Sequence, residues 1–197
     1  MFTIMPCDAG CGRTALSGSN TCAIHSAYPK GEAERITGII ARSKTVKDLS
    51  AGYLSFEDND FSGRSFFGCG FFRASFSRCL FTNALIRMSF FDFSVFTDCD
   101  FSKCDIQFAS FAGARIRNCT FEDSELVHVN YCGSEIWDST FNKSNLYNSR
   151  FINAGIKISD FIDCNIKRTF FIKSRREGVS FKASNTAEAV FDMGEEG

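Results

Sequence analysis

Large apolar residues recur at every fifth position of the chain, from Phe56 to Phe171. All 24 positions of this series carry Phe, Ile, Leu or Tyr. An α-helix repeats its face every 3.6 residues and a simple β-strand every second residue, so neither keeps a five-residue spacing on one face. A fixed period over such a length is typical of a solenoid, in which each repeat packs on its neighbours. The pattern predicts a repeat domain over residues 51–175.

A second series lies two residues before the large residues and, from Cys69 to Cys164, consists almost entirely of Ala, Ser and Cys. Small side chains suit an inward position where space is limited. The other positions are mostly polar and are expected to face water. Representative five-residue units run from Cys99 to Lys103 and from Cys104 to Phe108.

These units resemble the pentapeptide-repeat family, whose repeat places a small residue, then Asp or Asn, before the central large residue. The resemblance implies an all-β solenoid: a right-handed, quadrilateral parallel β-helix with one repeat per side, about 20 residues per coil and about six coils. Two sides would then carry aromatic ladders that face each other across the core. One ladder is expected at positions 61, 81, 101, 121, 141 and 161, and the other at 71, 91, 111, 131, 151 and 171.

The segments that flank the repeats have different patterns. Residues 29–50 are predicted to form a capping helix and a linker, because Ala33, Ile36 and Ile40 share one face of an amphipathic helix over 31–42. An open β-helix end exposes apolar core and unpaired backbone, so a helix there would act as a cap. Residues 176–197 are predicted to be an irregular C-terminal coil and tail.

The first 28 residues contain Cys7, Cys11, Cys22 and His25, spaced Cys-x3-Cys and Cys-x2-His. Three thiolates and an imidazole form a common ligand set for a structural zinc ion, and Gly10 allows a tight turn at the first pair. The segment also resembles the short zinc knuckles that precede repeats in some bacterial proteins. The alternative is that residues 1–28 are a disordered tail with free or redox-active cysteines.

Charge and composition bound the function. The chain has 22 basic and 23 acidic side chains, a balance that argues against direct binding to nucleic acid; a nucleic-acid role for the knuckle finds only Arg13 nearby in support. The sequence contains no apolar stretch long enough for a membrane helix and no secretory signal pattern, so a cytoplasmic location is expected. No catalytic constellation emerges, and four protein ligands leave a zinc ion no open position. The chain is therefore expected not to be an enzyme.

One outward face is unusually apolar, and its exposed positions include Phe72, Phe90, Phe93, Ile152 and Ile172. Such a stripe indicates a contact surface, which would serve a protein partner, a homodimer or a terminal segment that folds back. The leading hypothesis is a non-enzymatic protein-interaction scaffold with a structural zinc site and a partner of unknown identity. The alternative, which the family resemblance implies, is a DNA mimic that binds DNA gyrase and gives quinolone tolerance; an acidic strip favours it, whereas the net charge of −2 over 51–172 does not.

Overall fold

The structure is a computed structural model, and it describes residues 5–192. The first four residues of the predicted knuckle segment and the tail at 193–197 lie outside the described part. The chain begins with an irregular segment and one helix, α1 (Pro29–Ala41), and then winds into a parallel β-solenoid of about seven coils. The strands are β1 (Thr45–Lys47), β2 (Ser55–Glu57), β3 (Ser65–Phe67), β4 (Ser75–Ser77), β5 (Leu85–Arg87), β6 (Val95–Thr97), β7 (Asp105–Gln107), β8 (Arg115–Arg117), β9 (Glu125–Val127), β10 (Glu135–Trp137), β11 (Gly155–Lys157) and β12 (Arg175–Glu177), followed by a 3-10 turn at Thr186–Glu188.

Each coil has four sides of five residues, because the pairings between coils join residues 20 positions apart. We number the sides by their inward residues, starting with Phe56, Phe61, Phe66 and Phe71 for sides one to four. Side one is the seven-stranded sheet β2-β4-β6-β8-β10-β11-β12, and side three is the five-stranded sheet β1-β3-β5-β7-β9. Sides two and four are held by single parallel bridges, such as Asp60 with Leu80 and Gly70 with Phe90. The four-sided parallel solenoid that the family resemblance implies is therefore confirmed.

The large residues of the five-residue series fill the core, and the two predicted aromatic ladders are present. On side two, Phe101 stacks on Phe121 at 4.8 Å between ring centroids and 3° between planes. On side four, Phe91 and Phe111 lie 4.9 Å apart at 12°. The ladders meet edge to face across the core, as Phe141 and Phe151 do at 5.9 Å and 87°. Edge-to-face and offset-stacked pairs are the favourable arrangements of aromatic rings.

The small inward positions also carry hydrogen bonds between coils. Ser94, which is fully buried, donates from Oγ to the carbonyl oxygen of Phe71 at 2.6 Å and accepts from the backbone N–H of Ala74 at 3.2 Å. Buried polar groups need such partners, because an unsatisfied group loses its hydration without compensation. Serine is thus accommodated beside cysteine and alanine in this column.

The corners between sides require a special backbone conformation. The second residue after each large inward residue has a positive φ, between about 47° and 67°, and most of these residues are not glycine. This left-handed conformation is the one that the third residue of a type II turn adopts. Asn and Asp tolerate it well, whereas a β-branched residue such as Ile158, with a φ of 47°, is strained there.

The solenoid extends beyond the 24 positions of the sequence pattern, which accounts for about seven coils instead of the expected six. At the start, Val46 lies in the inward slot of β1, which pairs with β3. At the end, β12 pairs with β11, and Phe181 and Phe191 continue the two aromatic ladders. The inward slot of β12 holds Arg176, whose guanidinium lies 4.8 Å from the ring centroid of Phe191.

Helix α1 covers the N-terminal end of the solenoid. It begins two residues before the predicted start, with Pro29 in its first turn. Ile36 and Ile40 are fully buried in the same hydrophobic cluster as the first inward residues of the coils. In the described part of the chain, no helix is both long and apolar enough to cross a bilayer.

Candidate metal centre and apolar surface

The structure brings the four predicted ligands together. The Sγ atoms of Cys7, Cys11 and Cys22 and a ring nitrogen of His25 all lie within 4.8 Å of one another. His25 Nδ1 is 3.6 Å from the sulfurs of both Cys7 and Cys22, and the sulfurs of Cys11 and Cys22 are 3.8 Å apart. Cys7 and Cys22 are buried, Cys11 is half-buried and His25 is exposed. The group could hold a metal ion.

Short turns deliver these ligands. Pro6 and Thr14 form an antiparallel bridge, and Cys7 N–H donates to the Arg13 carbonyl at 2.9 Å, so the chain makes a hairpin around the first cysteine pair. Gly10, with a φ of 65°, lies in a tight turn, and its N–H donates to the Cys7 carbonyl. The second pair is closed by a bond from His25 N–H to the Cys22 carbonyl at 3.0 Å.

Hydrogen bonds to sulfur shift the ionisation of the thiols. The backbone N–H of Arg13, aided by the Arg13 side chain, lowers the pKa of Cys11 to about 6, although burial opposes this shift. The backbone N–H of Cys22, 3.3 Å from Cys7 Sγ, lowers the pKa of Cys7, whereas burial raises the pKa of Cys22. The neighbouring thiol of Cys7 raises the pKa of His25. The lowered pKa of Cys11 favours its thiolate, the form in which cysteine binds metal ions.

The cysteine-containing segment packs against the end of the solenoid. Leu16 and Ala23 join the hydrophobic cluster that contains the inner face of α1. The backbone N–H of Ser50, in the first coil, donates to Ser17 Oγ at 2.8 Å, and Arg35 of α1 donates to the Ser17 carbonyl at 2.7 Å. The metal-binding group is therefore attached to the cap and to the first coil.

The second predicted site, on side four, is divided in the structure. Phe72, Phe90 and Phe93 are 43%, 37% and 57% exposed, and the rings of Phe72 and Phe90 stack at 5.8 Å. Ile152 and Ile172 lie in later coils, 20 positions apart and therefore next to one another, and both are half-buried. Polar residues at Ser110, Asn130 and Arg150 interrupt the face between the two groups. Side four thus carries an aromatic group near the metal segment and a smaller aliphatic group farther along.

The aromatic group is larger than the sequence pattern indicates. Met88 and Phe108, 49% and 56% exposed, occupy neighbouring positions on the corner between sides three and four, beside Phe90. We call Phe72, Met88, Phe90, Phe93 and Phe108 the aromatic patch. The five-residue series of inward positions does not reveal the full patch. The 20-residue spacing of the corner residues Met88 and Phe108 could have revealed it.

Two neighbours fix the outer rings of this patch. Arg73 places its guanidinium 5.1 Å from the ring centroid of Phe93, and a Cβ at Gly113 would lie only 2.6 Å from that ring. Phe108 stacks on His128 at 4.9 Å. His128 is half-buried, because this ring and Asn148, 2.6 Å from its Nδ1, cover it.

The cysteines outside the metal group fall into two sets. Six are buried in the small inward slots, and burial raises the pKa of Cys69 and Cys164 to about 11 and that of Cys104 to about 12. Cys132, on side four, is half-buried.

Comparisons with known proteins bear on the repeat region. The model of the family described as pentapeptide repeats, eight copies, matches residues 74–107. No curated protein sequence shows significant similarity to the chain.

Solved structures with similarity to this chain include HetL, a pentapeptide repeat protein involved in heterocyst differentiation regulation from the cyanobacterium Nostoc sp. strain PCC 7120. It is 10% identical, with a TM-score of 0.37 over 79% of this chain and 94% of HetL. Rfr23, a pentapeptide repeat protein from the cyanobacterium Cyanothece 51142, is 10% identical, with a TM-score of 0.28 over 81% of this chain and 100% of Rfr23. A trypsin-treated form of QnrB1, a plasmid-mediated fluoroquinolone resistance protein, is 17% identical, with a TM-score of 0.28 over 68% and 71% of the two chains. The match to the family model lies within the coils and supports a pentapeptide-repeat assignment for residues 74–107.

Proposed function

We propose that this protein is a non-enzymatic interaction scaffold that binds a protein partner through side four and holds its N-terminal segment with a structural zinc ion. The observation that carries the first half is the aromatic patch, whose five large side chains are each 37–57% exposed. Aromatic residues and methionine are enriched at protein interfaces, where a few such side chains supply most of the binding energy.

Two patch variants and one matched control test the use of side four. Phe72→Ser and Phe93→Ser remove rings from the patch, whereas Leu80→Ser removes a side chain of similar exposure, 44%, from side two. Light scattering of the purified protein reports a homodimer, and quantitative capture from lysate of the source organism, repeated with each variant, reports other partners. The proposal requires that the patch variants lose an association that Leu80→Ser retains. Equal behaviour of all three variants would remove side four from consideration.

The distances in the cysteine and histidine group support zinc. Zinc binds thiolate sulfur at about 2.3 Å and imidazole nitrogen at about 2.0–2.1 Å in a tetrahedron. Such a tetrahedron has edges of about 3.8 Å between sulfurs and about 3.6 Å between sulfur and nitrogen. The pairs described above lie at 3.8 Å for Cys11 with Cys22 and at 3.6 Å for His25 with either Cys7 or Cys22. With four protein ligands the ion would be structural, and its binding would contribute to folding of the N-terminal segment.

Mass spectrometry under native conditions measures the metal directly. We expect one zinc ion per chain in the wild type and in Cys132→Ser, which alters a cysteine outside the ligand group, and none in Cys22→Ser. A protein whose mass does not change on chelation, and which takes up neither Zn²⁺ nor Co²⁺ afterwards, would exclude the metal centre while leaving the side-four proposal intact.

Side two gives the second candidate function, a DNA mimic that binds DNA gyrase. Exposed carboxylates follow this side and its corners at Asp60, Glu122, Asp123, Asp138 and Asp163. A row of carboxylates can imitate the phosphates of DNA in the field that it presents to a basic protein. A supercoiling assay with purified gyrase, with and without a quinolone, tests this function; unchanged activity at an excess of this protein excludes it.

A further inference from the structure

Side one carries a shallow groove, and Val95 in its lining lies two residues after Phe93 of the aromatic patch. Its walls include Val95, Arg115, Arg117, Glu135, Trp137 and Lys157, which come from four successive strands of the side-one sheet. Three of these side chains are basic and one is acidic. The groove therefore has a positive character that the nearly neutral chain as a whole does not have.

The two arginines project together from strand β8. They flank the buried Ile116 and are both exposed, so their side chains emerge on the same side about 6.7 Å apart along the strand. Neither forms an ion pair with any residue between 5 and 192. Two adjacent guanidinium groups without a carboxylate partner form a ready site for an anion.

A glycine explains why the nearest carboxylate does not neutralise them. Glu135 of β10 is the direct register neighbour of Arg115. Its carboxylate instead extends across Gly155 and pairs with Arg175, two strands farther on, at 3.1 Å. A Cβ at Gly155 would collide with that carboxylate. The missing side chain at Gly155 therefore lets Glu135 engage Arg175, and Arg115 stays available.

An aromatic surface lies beside the arginine pair. Trp137 is 46% exposed, and the guanidinium of Arg117 lies 4.8 Å from the centroid of the indole ring. Val95, 36% exposed, borders the other end of the groove. Lys157 is already engaged by Glu177 at 2.8 Å. The groove thus presents two guanidinium groups without an ion-pair partner among residues 5–192, the half-exposed indole ring on which one of them lies, and an aliphatic side chain.

We propose that this groove binds an extended acidic segment of a partner protein. Alternate residues of an extended peptide are also about 6.7 Å apart, so carboxylates at positions i and i+2 would match Arg115 and Arg117. The planar guanidinium fork suits a carboxylate geometrically, and an apolar side chain of the same segment would pack on Trp137. This interaction uses side one alone and does not depend on the partner proposed for side four.

The chain itself supplies the reporter, because Trp137 is its single tryptophan. The probe is a short synthetic peptide in which glutamate alternates with serine, and the matched control peptide has glutamine in place of glutamate. We expect a saturable change in tryptophan fluorescence with the first peptide only, and its loss at roughly 0.5 M salt, where exposed charges are screened. Arg115→Gln and Arg117→Gln should each weaken binding about three- to five-fold, whereas Arg150→Gln on side four should leave it unchanged.

Three results would overturn the proposal. The acidic peptide could cause no saturable change, or the variants at 115 and 117 could bind it as well as the wild type does. Inorganic phosphate or single-stranded DNA could instead bind more tightly than the peptide at equal salt concentration. The ligand of the groove would then be a phosphate group and not an acidic protein segment. Circular dichroism of each variant confirms that these exposed substitutions leave the solenoid folded.

Discussion

Tyr131 is the residue of the side-four ladder whose ring carries a hydroxyl group, and this group is fully buried. Its ring lies 5.3 Å from Phe111 and 4.7 Å from Phe151, so it stacks as a phenylalanine would. Within residues 5–192 the hydroxyl has no hydrogen-bond partner. Burial also raises the pKa of Tyr131 well above its usual range, so the group stays neutral. We therefore expect Tyr131→Phe to stabilise the protein.

The magnitude follows from two opposing terms. A buried hydroxyl without a partner costs about 1–3 kcal/mol of stability in lost hydration. Removing one oxygen atom leaves a small void, which costs less than about 1 kcal/mol because the ring itself remains packed. The net gain is about 1 kcal/mol, and for a chain of this length it corresponds to about 2–4 °C in the melting temperature.

Thermal and urea denaturation followed by circular dichroism measure the change. The matched control is Tyr147→Phe, because the hydroxyl of the half-buried Tyr147 accepts a hydrogen bond from Arg168 at 3.2 Å near the surface. We expect the control to change the urea midpoint little. If Tyr131→Phe lowers the midpoint while the urea dependence stays constant, the hydroxyl has a favourable partner in solution and the reasoning is refuted.

Three further predictions concern the corners and the thiols. Ile158→Asn should stabilise the protein by about 1 kcal/mol in urea denaturation, because Asn tolerates a φ of 47° better than Ile does. Asn118 adopts the same left-handed conformation on the same corner. An unchanged urea midpoint would show that Ile158 is not strained. Gly113→Ala should destabilise it by about 1–2 kcal/mol, since the new methyl group meets the Phe93 ring in a left-handed backbone, and wild-type stability of this variant would contradict that packing. In native protein at pH 8, treatment with iodoacetamide followed by mass analysis should leave six buried thiols unmodified until the chain is unfolded. These are Cys69, Cys79, Cys99, Cys104, Cys119 and Cys164. Labelling of any of them in the native protein would contradict their burial.

The sequence predicts the coils well because their core depends on the five-residue spacing together with the resemblance to pentapeptide repeats. The spacing identifies the large inward residues, and the 20-residue coil that the resemblance implies then decides that Phe101 stacks on Phe121. The same holds for the four ligand side chains of the metal group, whose short spacings constrain them to neighbouring turns. Both features require knowledge only of residues that are close in the chain or related by the repeat.

Other features depend on contacts that no repeat specifies. The attachment of Ser17 to Ser50 joins an irregular segment to the first coil, and nothing in either local sequence indicates it. The extent of the aromatic patch depends on Phe108, which lies on a corner and outside the inward series. The free arginine pair of side one depends on Gly155, since the absence of a side chain there decides which partner Glu135 reaches.

The uniform register of 20 residues also has a kinetic consequence. Nearly every pairing between coils joins residues about 20 positions apart in a chain of 197 residues, which gives a relative contact order of about 0.1. This value is typical of helical bundles, whereas β-sandwiches and small barrels have roughly twice as much and fold far more slowly. We therefore expect this parallel β protein to fold quickly. Each new coil would pair with the coil formed before it, starting from whichever coil forms first. Because the capped end leaves the ribosome first, the chain can begin to wind before its later coils have been synthesised.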